Sequence, residues 1–383
     1  MRFLHLGDIH LGKSLGDFSL NDDQRYILRQ ILDIYEREKA DALLIAGDVY
    51  DKAVPSEAAT CLLDWFLNEL AARKAPVFMI SGNHDSDERL GYGSKLFREC
   101  GIHIATSYDG TLQKATVTDD YGEADIWMLP FVKASQVKHF FPEEKIVSYD
   151  DAVRVVIANA GIDVSKRNII LSHQFVTGKN AAPALSGSES LGTKSVGQIE
   201  LIGSDCFDIF DYAALGHIHS PQSVGREEVR YSGSPLKYSL SEVDNEKSVP
   251  VVTIKEKGSV DIDLVPLVPM RDMRHIKGPF SALVDPANVI DTQDFIYATL
   301  TDEDVINDAI GILQQYYPNT VKLDYDNSRT RQVSRVEDTE AKKEKTFAER
   351  ASEFYRAIYG CDISEDEMNI LKEIGKEAGI EAD

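Results

Sequence analysis

One pattern, met five times, constrains this chain more than any other: an apolar run followed at once by metal-binding side chains. The segments are FLHLGDIH with Asp8 and His10, LLIAGDVYD with Asp48 and Asp51, FMISGNHD with Asn83, His84 and Asp85, IILSHQ with His173, and YAALGHIH with His217 and His219. Each run reads as a buried strand. In an open α/β sheet, functional groups gather beyond the carboxyl ends of the strands. Separate strands can therefore deliver their ligands to one rim. A glycine precedes the ligand in four of the segments, which suits a sharp exit from a strand.

The donor types narrow the chemistry. Asp and His together offer oxygen and nitrogen, and no thiolate is involved. That mixture suits Mn²⁺, Fe²⁺ or Zn²⁺ better than Mg²⁺, which takes oxygen alone. Asp8, His10, Asp48, Asn83, His173, His217 and His219 are seven candidates, whereas one tetrahedral site needs three or four. Two ions about 3.5–4 Å apart, bridged by a carboxylate, use them all. Taken singly, each piece is ordinary. GDxxD is usually a turn, and a lone buried histidine such as His173 is more often a hydrogen-bonded core residue. Order, residue type and strand context agree across all five segments, which chance does not supply. His5 falls out of register with His10 and reads as structural, as does Asp85. His84 directly follows the candidate ligand Asn83 and can point at a substrate instead. As an imidazolium it can stabilise a transition state or protonate a leaving alkoxide.

The organisation follows from the same alternation. Strands are expected at Arg2 to Leu6, Ala42 to Ala46, Val77 to Ile80 and Ile102 to Ala105. Helices are expected over Asn21 to Lys39, from Ser56 to about Arg73, and around Asp87 to Glu99. The pattern resumes with a helix over 151–160 and strands at Asn168 to Leu171 and Tyr212 to Leu215. Val229 to Ser232 and Val249 to Ile254 suggest an antiparallel end. This places the chain in the α/β class. A boundary near 268 divides residues 1–268 from a compact set at 269–326, with strands near 280–284, 295–300 and 320–324 and a helix near 302–316. Residues 327–345 are polar and charged and read as a linker. Residues 346–383 read as a helical hairpin. Phe347, Ala351, Phe354, Tyr355 and Ile358 share one face, and Ser364 with Glu367 forms a capping box. Such a hairpin either packs on its own domain or docks on a partner.

Charge complicates any nucleic-acid reading. Lys plus Arg number 41 against 64 Asp plus Glu, a net −23, while a DNA binder usually shows a basic patch. Two divalent cations return positive charge locally, and a more basic partner subunit is the natural remedy elsewhere. The four cysteines (Cys61, Cys100, Cys206 and Cys361) form no CxxC pair, which points to a reducing cytoplasm. No signal peptide or membrane span is expected.

The ordered set DxH, GDxxD, GNHD, H, GHxH resembles the signature of the calcineurin-like metallophosphoesterases, over roughly residues 1–265. The resemblance implies a four-layer sandwich, two mixed sheets flanked by helices. HLGDIHLGK, YAALGHIHSPQ and YSGSPLKYSLSE further resemble the bacterial SbcD nuclease family, partners of the SMC-like ATPase SbcC. Residues 295–325 resemble that family's small α+β capping domain, and the tail resembles its ATPase-docking helices. The match implies one cation on Asp8, His10 and His219, a second on Asn83, His173 and His217, and Asp48 bridging both. It gives Asp51 as the partner that orients His84, with turn capping as the plainer role for that carboxylate. It also implies two divalent cations, Mn²⁺ first with Fe²⁺ or Zn²⁺ as alternatives, and DNA ends and hairpins as substrate. SbcC is the implied partner, in a heterotetramer containing a homodimer, at a cytoplasmic, nucleoid-associated location serving DNA repair and recombination. A phosphatase or cyclic-nucleotide phosphodiesterase shares the five motifs and is the first alternative. A non-catalytic scaffold is the second, but scaffolds typically lose ligands and all seven are present here.

Overall fold

The computed structural model describes residues 1–178, 183–184, 201–328, 352, 355–356, 362–364 and 367–372. Contacts divide them into two compact units. The first comprises Met1–Ile276, Leu283–Ala298 and Asp308–Leu323. The second comprises Lys277–Ala282, Thr299–Asn307 and the described residues from Asp324 onward.

The first unit opens with β1 (Arg2–Leu6), α1 (Asn21–Arg37), β2 (Ala42–Ala46), α2 (Glu57–Ala72), β3 (Val77–Ile80) and β4 (Ile102–Ala105). Then come β5 (Gln113–Asp119), β6 (Gly122–Leu129), α3 (Tyr149–Asn159), β7 (Arg167–His173), β8 (Tyr212–Gly216), β9 (Gln222–Val224), β10 (Arg226–Tyr231), β11 (Ser248–Ile254) and β12 (Val260–Pro266). One six-stranded sheet has the order β12-β11-β1-β2-β3-β4, and the other β9-β10-β8-β7-β6-β5. The centre of each is parallel, and antiparallel pairs lie toward the edges.

Period-two alternation builds the layers. From the first sheet, Phe3, Leu44, Phe78 and Ile80 face Ile126, Met128, Ile169, Leu171 and Tyr212 of the second, forming the inter-sheet core. Leu4, Leu6, Leu43, Ile45 and Met79 turn outward onto Ile27, Ile31, Leu62 and Phe66 of α1 and α2. Trp127, Ile170 and Leu215 turn outward onto Val153 and Val156 of α3. The result is helix, sheet, sheet, helix, and it explains why the strands are apolar throughout: both faces are covered. Ser56 caps α2 by accepting from Ala59 N at 3.2 Å. Each fully buried Leu or Phe of that helix contributes about 1.5–3 kcal/mol. His5 lies in the inter-sheet core with Nδ1 2.9 Å from the Tyr212 hydroxyl. Burial lowers its pKa to about 3, so it stays neutral, a structural residue as its register predicts.

The region around Asp87 to Glu99 is helical as expected, in two short helices, Asp87–Leu90 and Ser94–Arg98, separated where Gly93 adopts φ +76°. Three local expectations need correction. Val229 to Ser232 is antiparallel on one side only: β10 pairs antiparallel with the edge strand β9 but parallel with β8, while β11 is antiparallel to β1 as expected. The strand placed near 280–284 is a helical turn, Phe280–Leu283, and the strand precedes it at Met273–Gly278. Pro279 cannot donate to a ladder, and Asp302 accepts from Phe280 N at 2.7 Å to start the turn. The helix placed near 302–316 begins only at Ala309, because Asp308 takes a left-handed φ of +51°. Strands Met273–Gly278, Phe295–Leu300 and Thr320–Tyr325 form a three-stranded sheet. A small core of Ile296, Ala298, Leu313 and Tyr317 belongs to it.

Of the tail hairpin, most positions lie outside the described residues, including Phe347, Ala351, Phe354 and Ile358. The expected capping box is formed: Glu367 accepts from Ser364 N at 3.0 Å, and Ser364 Oγ accepts from Glu367 N at 3.4 Å.

Candidate metal centre

The seven candidate ligands converge where the two sheets meet at the carboxyl ends of their parallel strands. The first sheet supplies Asp8 and His10 after β1, Asp48 after β2, and Asn83 after β3. The second supplies His173 at the end of β7, and His217 and His219 after β8. Asp8, His10, Asp48, His173 and His219 are buried, whereas Asn83, His84 and His217 are partly exposed and form the open side.

The loops are knitted to one another before any ligand is considered. Asp8 N donates to Gly47 O at 3.1 Å and His10 N to Asp48 O at 2.9 Å. Asp85 accepts from Val49 N, Tyr50 N and Gly82 N at 3.1, 2.9 and 2.9 Å, which gives it the structural role expected. Asp8 accepts from His217 N at 2.9 Å, and Asp48 Oδ1 from His84 N at 2.9 Å. Asp8, His10, Asp48 and His217 all have positive φ, a conformation costing an L-residue about 1–3 kcal/mol. The loop hydrogen bonds hold them there. Two glycines are required by space as well: a Cβ on Gly47 would meet His173 Nδ1 at 2.5 Å, and one on Gly216 would meet Ala46 O at 1.9 Å.

Side-chain nitrogens and oxygens then face one another. His10 Nε2 lies 3.1 Å from His219 Nε2. His173 Nε2 lies 3.1 Å from Asn83 Oδ1 and 3.3 Å from Asp48 Oδ2, while His217 Nδ1 lies 2.9 Å from Asn83 Oδ1. Asp48 Oδ2 is also 3.6 Å from His10 Nε2, so one carboxylate oxygen sits between both groups of histidines. Asp8, His10 and His219 bring ligand atoms within 4.8 Å of one another, and so do Asp8, Asp48 and His173. Asp8 is thus common to both trios.

Electrostatics agree with a cation site. Burial drives the His10 pKa well below its usual value, leaving a neutral ring, and Nδ1 of that ring is buried without a hydrogen-bond partner. Burial raises the Asp8 pKa. Burial also works against ionised Asp48, but the rings of His173, His10 and His84 together outweigh it, His173 most, and hold that carboxyl well below the usual range. Facing imidazole nitrogens and carboxylate oxygens can share a proton or a cation, and the mixed O/N donor set fits divalent transition-metal ions. His173 donates Nδ1–H to Ala46 O at 2.8 Å, which leaves Nε2 facing Asp48 and Asn83 as the candidate ligand atom.

His84 stands beside this group, its Nε2 4.0 Å from Asp48 Oδ2. Its Nδ1 lies 3.0 Å from the backbone carbonyl of Asp51. The contact between Asp51 and the His84 ring is therefore made by the Asp51 main chain. Its carboxylate reaches Lys13 Nζ at 2.8 Å. His10, Asp51 and His84 form a third trio within 4.8 Å.

Two residues that sequence reasoning did not single out complete the surroundings. Glu242 is fully buried with Oε1 3.3 Å from His219 Nδ1, and Lys247 Nζ lies 2.6 Å from Glu242 Oε2. The string YSGSPLKYSLSE, which ends on Glu242, is the one signal in the sequence that reaches this pair.

Comparison with known proteins follows the same lines. Residues 1–221 match the calcineurin-like phosphoesterase family, and residues 269–359 match the type 5 capsule protein repressor C-terminal domain. The SbcD component of the nuclease SbcCD from Staphylococcus epidermidis is 34% identical over 327 residues, covering 84% of this chain and 85% of that protein. Among solved structures, Yfce, a phosphoesterase from E. coli, matches with 15% identity and a TM-score of 0.28, covering 70% of this chain and 100% of that one. The chain belongs to the calcineurin-like phosphoesterase family, and within it to the SbcD group.

Proposed function

We propose that this protein is the nuclease subunit of an SbcCD-type complex and hydrolyses DNA phosphodiesters with two divalent cations, Mn²⁺ by preference. The observation that carries the reading is the convergence of Asp8, His10, Asp48, Asn83, His173, His217 and His219 at one seam between two sheets. The relationship to an SbcD nuclease over most of both chains supports it. In this reading Asp8, His10 and His219 hold one cation and Asn83, His173 and His217 the other, with Asp48 shared. Bound there, the cations acidify water and neutralise charge on the phosphate oxygens.

The chain's own groups supply the rest. The seven ligands come from rigid strand ends, so they are positioned before substrate arrives. His84 keeps Nδ1–H on the Asp51 carbonyl and has Nε2 4.0 Å from Asp48 Oδ2, beside the seven candidate ligands. As an imidazolium it protonates the leaving alkoxide from Nε2.

Residues 269–326 act in this reading as a DNA-facing capping domain and residues 346–383 as the segment that docks on the SMC-like ATPase SbcC. The assembly is a heterotetramer built around a homodimer of this chain, cytoplasmic and nucleoid-associated. Among the described residues no helix is long and apolar enough to cross a membrane.

The test compares Mn²⁺-dependent cleavage of duplex ends and hairpins with hydrolysis of a chromogenic monoester and of a cyclic nucleotide. Robust DNA cleavage supports the reading. Turnover of the small esters with DNA left intact would replace it with the phosphatase or phosphodiesterase alternative. Deleting 331–383 is expected to abolish co-purification with SbcC while sparing cleavage of short duplexes; retained binding refutes the docking role.

A further inference from the structure

Glu242 and Lys247 form an ion pair in the interior, 0% and 6% exposed. Such a pair is a weak source of stability, because desolvation of both charges offsets their attraction and an apolar pair of similar volume often serves as well. Its presence calls for another account, and the contacts supply one. Lys247 Nζ has three donors and three acceptors around it: Glu242 Oε2 at 2.6 Å, Ser234 Oγ at 2.8 Å and the His219 carbonyl at 2.9 Å. Ser234 N also donates to that carbonyl at 3.1 Å. The other oxygen of Glu242 faces His219 Nδ1 at 3.3 Å. One lysine therefore grips the His219 main chain and the carboxylate that faces its ring.

We propose that Glu242, anchored by Lys247, is the positioning residue for His219. The carboxylate only accepts, so it selects the His219 tautomer with the proton on Nδ1. Nε2 is then a bare lone pair, turned toward His10 Nε2 at 3.1 Å and into the trio with Asp8. The arrangement has a parallel across the site: His173 has its Nδ1 fixed on the side away from the ligands by the Ala46 carbonyl, as His219 has by Glu242. Carboxylate support of this kind raises the basicity of the ligand nitrogen, and its loss costs about 10–100-fold in metal affinity. This inference rests on reading His219 as a metal ligand.

The test is Mn²⁺ titration calorimetry on the full chain, with the thermal midpoint of the metal-free protein measured alongside. Glu242→Gln keeps the shape and removes the charge. Glu242→Asp keeps a charge for Lys247 but is one methylene too short to hold both partners. In each, one of two Mn²⁺ affinities is expected to weaken about 10–100-fold while the other is unchanged. Both sites weakening together, in step with a lowered metal-free midpoint, would mean a merely structural pair and overturn the proposal. Wild-type protein that takes up no Mn²⁺ overturns the metal reading and this inference with it. Wild-type protein that binds two ions, with both variants unchanged, overturns this inference alone. A measurement on the unmutated chain guards against variants that do not fold: in ¹⁵N-histidine-labelled metal-free protein, His219 is expected to be protonated at Nδ1 and bare at Nε2. The opposite tautomer sinks the proposal.

Discussion

His84 Nδ1 sits 3.0 Å from the main-chain carbonyl of Asp51, while the Asp51 carboxylate is paired with Lys13 at 2.8 Å. A side-chain substitution leaves that carbonyl in place. Asp51→Asn is therefore expected to lower DNA cleavage by less than about tenfold, well short of the factor a lost acid–base group brings. Steady-state nuclease rates decide it; a collapse equal to that of a His84 variant would show that the carboxylate, and not the carbonyl, governs the ring.

Removal of the ring itself is a different matter. His84→Ala is expected to cost about 10²–10⁴-fold in cleavage, the usual worth of general acid–base catalysis. Metal content is expected to stay at two ions, since His84 lies outside the seven residues proposed to hold them. Elemental analysis next to the nuclease assay checks both halves, and a variant that drops its metals makes His84 a ligand.

Gly216→Ala places a methyl 1.9 Å from the Ala46 carbonyl, an overlap between two backbones that no rotamer can relieve. The expected destabilisation is about 1–3 kcal/mol or more, together with weakened metal binding, because His217 and His173 flank the clash. Urea midpoints in metal-free buffer measure the first effect. A midpoint within error of wild type contradicts the close sheet contact at this point.

Acid sensitivity has an identifiable source away from the metal centre. Arg167 meets the Asp119 carboxylate at 3.0 Å through Nη1 and 2.6 Å through Nη2. These bonds hold the Asp119 pKa well below the ordinary value, ahead of a smaller opposing effect of burial. A depressed folded-state pKa means stability that is fully present above the unfolded value, about 3.9, and lost as pH falls through the folded one. Asp119→Asn is expected to lower stability at pH 6 and to remove part of the loss wild type shows below about pH 4. Urea unfolding across pH 2–6 tests this; parallel curves for the two proteins rule the pair out as a contributor.

Much of the fold and the site was legible because two signals coincided in the same residues. Runs such as ALLIA and NIIL announce strands covered on both faces, and the side chains just beyond them announce the rim. Asp8, His10, Asp48, Asn83, His173, His217 and His219 come together as that coincidence predicts. What stayed hidden has physical causes. Glu242 lies 23 residues beyond His219 and its contact is made by tertiary packing, so no spacing encodes it. The left-handed backbone of Asp8, His10, Asp48 and His217 is imposed by hydrogen bonds between loops, against the intrinsic preference of those residues. The Asp51 carbonyl carries no side-chain signature at all. At 280–284 an apolar run has the pattern of a strand, and one proline together with the acceptor at Asp302 decides otherwise.

Four of the seven candidate ligands hang from one sheet and three from the other, which bears on how the molecule assembles. A half-folded intermediate with a single sheet owns an incomplete coordination shell and has little hold on an ion. On the two-cation reading proposed above, cation capture would follow closure of the sandwich, and ions held there would tie one sheet to the other. Chelation accordingly loosens the join before either leaf, so hydrogen exchange in the absence of metal is expected to quicken first along the strand ends that face one another.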